Sequence, residues 1–129
     1  MKTKICTSLE QSKKLMELGI DRNTADMHYS TWTILNEGEY ILSPNQGDTI
    51  EELQEAYGNQ VIPAWSLTAL FGFLPEHTQV PSSLKQNRYM CDFHNGIVEF
   101  GDDYHKEKST NLFDAVFETV VWLKENGKI

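Results

Sequence analysis

The stretch Tyr89-Met90-Cys91-Asp92-Phe93-His94-Asn95-Gly96-Ile97-Val98-Glu99-Phe100 decides the fold class. Asn95 and Gly96 both tolerate positive φ, which a two-residue type I′ turn demands, and alternating apolar residues flank them on either side. That turn sets His94 against Ile97, Phe93 against Val98, Asp92 against Glu99 and Cys91 against Phe100. Tyr89, Cys91, Phe93, Val98 and Phe100 then share one face, and a slip of one residue would scatter them. Such a face needs a cover, and the C-terminal segment supplies one.

Leu112–Asn126 reads as a helix. Asn111 and Asp114 mark its start, Lys124 suits its last turn, and Gly127 marks its stop. Leu112, Phe113, Val116, Phe117, Val120, Val121 and Leu123 span a wide apolar face, so this helix is expected at the centre of the core.

Working back toward the N-terminus, Ser8 and Gln11 make a capping box for a helix over Leu9–Leu18 that Gly19 closes. Met27–Leu35 favours extended backbone, Asn36-Glu37-Gly38 reads as a turn, and Tyr40-Ile41-Leu42 as a returning strand, which makes a second hairpin. Asp48 with Glu51 is the capping pair for a helix carrying Ile50, Leu53 and Tyr57 and ending at Gly58. Val61-Ile62 stops at Pro63. Ser66 caps a helix expected to reach Leu74, before Pro75, with Trp65 stapling its first turn. Residues 76–87 are polar and read as a loop.

The chain has 129 residues and a formal charge of -8. That length is one domain's worth, and a chain of this size needs neither disulfide nor metal to fold. The reading is a single α+β domain over 1–129, in which antiparallel strands with two hairpins pack against the C-terminal helix and smaller helices. No apolar run approaches the ~20 residues of a membrane span, so no membrane is expected as a partner. The basic start, Met1 to Ser8, is followed by no apolar core, so it is not expected to be a signal peptide. Cys6 and Cys91 form no framework, and a reduced, cytoplasmic setting is preferred. Cys91 is expected to be buried. Cys6, just before a helix start, sits where a thiolate is favoured.

Between Arg22 and Lys85 there is no lysine or arginine, while residues 23–84 hold eight acids, and elsewhere acids and bases cancel. This segment repels a phosphate backbone, which argues against nucleic acid as a partner. It suits either plain solubility or a basic protein surface. The candidate interaction surface is Glu51, Glu52 and Glu55, held together by one predicted helix, with Trp32 and Trp65 as aromatic contacts should they prove exposed.

No phosphate loop, zinc helix, nucleophile elbow or calcium loop is present, and no cofactor is called for. One polar cluster stands out. Asp92, His94 and Glu99 fall on one face of the hairpin, with Asp102, Asp103 and His105 just beyond. Imidazole and carboxylates can hold a divalent ion or form an acid–base pair. Opposed carboxylates need a cation between them, and Lys106 or Lys108 can supply it. His28 and His77 have no partners legible in sequence.

Leu15–Ile20 leading into Thr24-Ala25-Asp26-Met27, Ile62-Pro63-Ala64-Trp65-Ser66-Leu67, and Asp114–Glu125 resemble small uncharacterised proteins of gut Bacteroidetes genomes and their prophages. The resemblance implies a bacterial cytosolic protein and brings no site residues. The functional expectation is a small non-enzymatic interaction protein, phage-related or of the immunity type. The alternative is a small enzyme or metal-binding domain using the Asp92, His94 and Glu99 face. Oligomeric state stays open.

Overall fold

Helix α1 (Leu9–Glu17) begins as its residues dictate. The Ser8 hydroxyl accepts from the Gln11 amide at 3.1 Å, and the Gln11 side chain accepts from the Ser8 amide at 3.0 Å, so both halves of the capping box are made. Gly19, at φ +86°, takes the left-handed position that ends it. The computed structural model describes residues 4–31, 40–58, 60–75, 89–102 and 104–129. Contacts divide the chain into two compact units, Met1–Ala69 and Leu70–Ile129. The fold is mixed α+β, with two three-stranded antiparallel sheets.

In the first unit, strand β1 (Met27–Thr31) is central, flanked by β2 (Tyr40–Pro44) and β3 (Ile62–Ala64). The expected turn at Asn36-Glu37-Gly38 lies outside the described residues. Helix α2 (Ile50–Tyr57) starts one residue later than the capping pair Asp48 and Glu51 implies. Thr49 is the cap, and its hydroxyl accepts from the Glu52 amide at 3.1 Å. The shift buries Ile50 and Leu53, but Tyr57 stays exposed, so the apolar stripe stops short of the last turn. Helix α3 (Leu67–Phe71), whose last two residues belong to the second unit, also ends earlier than expected. The amides of Phe73 and Leu74 bond three residues back, to Leu70 and Phe71, which is the tightened exit of a helix approaching Pro75.

A buried polar network organises this unit. The Thr7 hydroxyl lies 2.8 Å from that of Ser12 and accepts from the Trp65 amide at 3.0 Å, while the Thr7 carbonyl accepts from the Tyr29 hydroxyl at 2.7 Å. Asn45 donates to the Ala25 carbonyl at 2.8 Å and meets the His28 ring nitrogen at 2.8 Å. Buried polar atoms are costly unless paired, so these bonds specify one arrangement.

In the second unit, β4 (Met90–His94), β5 (Ile97–Gly101) and β6 (Lys106–Ser109) form a meander with β5 in the middle. Helix α4 (Leu112–Glu125) packs on β5 and β6. Its cap is as expected: the Asn111 side chain accepts from the Asp114 amide at 2.8 Å, and Gly127 is left-handed at φ +69°. Phe113, Val116, Phe117, Val120, Val121 and Leu123 are buried. Strand β6 was not expected, because Lys106-Glu107-Lys108-Ser109 has no apolar residue to mark it.

Candidate functional site

The β4–β5 hairpin has the register its turn dictates: His94 against Ile97, Phe93 against Val98, Asp92 against Glu99, Cys91 against Phe100. Asn95 and Gly96 are both left-handed, at φ +50° and +76°. Alternation therefore divides the hairpin into an apolar face, with Cys91, Phe93, Val98 and Phe100, and a polar face, with Asp92, His94, Ile97 and Glu99.

On the polar face the predicted residues do come together. Asp92, His94 and Glu99, with Ile97 and Lys108, line a concavity of about 610 Å³. Glu99 is neutralised from the β6 side, with the Lys106 and Lys108 ammonium groups each 3.6 Å from one of its oxygens. No ion pair is described for Asp92. Among the described residues no group of three histidine, cysteine or acidic side chains is placed to hold a metal ion. Chemically, the concavity offers one carboxylate to an incoming cation beside apolar surface.

The rest of the cluster is dispersed. Asp102 is buried, and one carboxylate oxygen accepts from the amides of Tyr104 and His105 at 2.9 and 3.0 Å, so it shapes the β5–β6 turn rather than facing solvent. His105 stacks on Trp122, ring centroids 3.7 Å apart, with Nε2 3.3 Å from the Glu107 carboxylate but outside hydrogen-bond geometry. Asp103, His77 and Trp32 lie outside the described residues.

The remaining candidates separate as sharply. Trp65 is not a surface aromatic. It is fully buried, its indole N–H donates to the Thr24 hydroxyl at 3.0 Å, and it belongs to the core. Glu51 and Glu55 are exposed on α2, whereas Glu52 is engaged in the Thr49 cap, and Glu51 lies 4.0 Å from Arg22. Cys6 is buried and meets the Tyr29 hydroxyl at 3.4 Å. Burial pushes its thiol up, so the helix start does not activate it.

Cys91 is exposed, which corrects the expectation of a buried thiol. The sequence also missed Met90, Phe93 and Ile97 as surface residues, and they are 61, 70 and 43% exposed. A helix about 10 Å across covers roughly two strands spaced ~4.8 Å apart, and α4 lies over β5 and β6, which leaves β4 uncovered.

No family model matches the sequence, and neither a curated protein nor a solved structure matches it.

Proposed function

We propose that this chain is a small non-enzymatic interaction protein whose contact face is the outer edge of the β4–β5 hairpin. One observation carries the reading: all five residues of β4 are exposed, and apolar side chains stand on both faces of this edge strand. Covering a ring such as that of Phe93 is worth about 1.5–3 kcal/mol, which gives a partner a reason to dock there. The α2 acids are the weaker candidate for contact with a basic surface, because Glu52 is already engaged within its own cap. The setting we propose is the cytoplasm, where an exposed thiol such as that of Cys91 stays reduced. The phage-related or immunity-type role belongs to this proposal as the kind of partner-covering task it would serve.

Tagged protein used as bait in its native host tests the reading. A partner recovered with the unaltered chain should be lost with Phe93→Asp and kept with the triple change of Glu51, Glu52 and Glu55 to glutamine. Loss with the triple change alone would move the contact face to α2.

A further inference from the structure

The two-residue turn fixes which backbone groups of β4 point outward. His94 and Ile97 flank it and exchange both ladder hydrogen bonds; by alternation Asp92 with Glu99 and Met90 with Gly101 do the same. Cys91 and Phe93 fall in the wide pairs, so their N–H and C=O groups aim away from β5. Among the described residues, no backbone bond outside the hairpin takes them up. Four strand-forming groups thus stand open on an edge that carries no lysine and no proline, the residues that usually blunt such edges. The opposite edge, β6, carries Lys106 and Lys108.

We infer that β4 accepts an extended segment of a partner protein as a fourth strand, and that this segment alternates apolar residues with a basic residue placed against Asp92. The inference rests on the interaction reading above and adds the docking mode and the chemistry of the partner. In antiparallel addition, the residues opposite Cys91 and Phe93 share the apolar face with the exposed Phe93 ring. The residue opposite Asp92 falls on the polar face, at the concavity, in a non-hydrogen-bonded pair where side chains approach most closely. Among the described residues, Lys106 and Lys108 are already on Glu99 and no ion pair is made by Asp92, which leaves Asp92 as the carboxylate to be matched. A second copy of the chain fits poorly. Self-pairing centred on Asp92 opposes two carboxylates, and each chain carries a formal charge of -8.

The test uses the full chain, isotope-labelled, titrated at low salt with three capped peptides. These are Thr-Val-Lys-Val-Thr, the same peptide with glutamate for lysine, and the lysine peptide with both valines N-methylated. The lysine peptide should shift the Cys91 and Phe93 amides, slow their exchange at least tenfold, and bind at least tenfold more tightly than the glutamate peptide. Asp92→Asn, with an unchanged melting temperature, should abolish that preference. N-methylation should abolish binding. Equal binding of the lysine and glutamate peptides, or undiminished binding after N-methylation, would overturn the proposal. Concentration-dependent self-association that protects Cys91 and Phe93 without peptide would make the occupant a second copy and also overturn it. The broader reading fails separately, if Phe93→Asp leaves recovery of the native partner unchanged.

Discussion

Strands β4 and β5 are two arms of one hairpin, paired residue for residue, and their fates differ. Val98 and Phe100 are 5 and 4% exposed, whereas Phe93, directly opposite Val98, is 70% exposed, and Cys91, opposite Phe100, is exposed as well. The four residues share one face, so alternation does not separate them. Coverage does: α4 packs on β5 and β6, while every residue of β4 is exposed. An apolar side chain on the inner face of a hairpin is thus a core residue only if the covering helix is wide enough to reach it.

The largest effect that can break this comparison is a matched pair of truncations. Phe100→Ala should cost about 3–5 kcal/mol in denaturant melts, through lost burial and a cavity next to Phe71 and Tyr89, whose rings lie 6.0 and 5.6 Å away. Phe93→Ala should stay within about 0.5 kcal/mol, as an exposed substitution does. Similar losses for both would mean that β4 is covered after all.

The next effect sharpens the contrast between the two edges of the sheet. Gly101 sits at φ +155°, and a Cβ there would lie 2.1 Å from the His105 carbonyl oxygen. Gly101→Ala should therefore destabilise the β5–β6 turn by about 1–3 kcal/mol, the range for backbone strain, and should loosen β6 more than the β4 turn. Chemical shifts in residues 104–109 that change no more than those of residues 93–97 would contradict this.

A smaller effect concerns charge. Glu99→Gln breaks two surface pairs to lysines that are 49 and 70% exposed, so it should cost about 0–1 kcal/mol and be hidden by salt. Melts at low and high salt check this, and a loss well above 1 kcal/mol that persists in salt would make Glu99 a structural anchor.

A further effect, of pH, lies under the covered half of the face. Burial, and next the nearby Asp102 charge, push the Tyr89 phenol up to about 12 from 10.0. A group whose folded pKa is raised contributes stability below its unfolded pKa and loses it as pH climbs through the folded one. The melting temperature should therefore fall between pH 10 and 12, and Tyr89→Phe should flatten that limb. An unchanged limb would remove Tyr89 from the alkaline transition.

Much of this fold was legible because local chemistry and pattern agree. Ser8 with Gln11, Asn111 with Asp114, and Asn95-Gly96 each mark a boundary by a specific hydrogen bond or dihedral requirement, and the structure uses all three. Where two neighbouring residues offered the same chemistry, the reading slipped: Asp48 and Thr49 are both good caps, and burial of Ile50 and Leu53 selects Thr49. Strand β6 was illegible because an edge strand lined with lysine carries no apolar period. Missing it hid the fact that β5, not β4, is the centre of its sheet. The polar candidates Asp92, His94 and Glu99 were placed correctly, because register alone fixes them. The exposed candidates Phe93, Cys91 and Met90 were missed, because exposure depends on where a distant helix ends up.

The central claim, that β4 is an open edge beside a covered β5, is tested most directly by residue-level amide exchange in the free, full-length protein. The outward amides of Cys91 and Phe93 should exchange at rates near those of an unfolded chain. Those of Val98 and Phe100, bonded to β6 beneath α4, should be protected by orders of magnitude. Protection of Cys91 and Phe93 equal to that of Val98 and Phe100 would show that something already covers the edge, and the account built on it would fall.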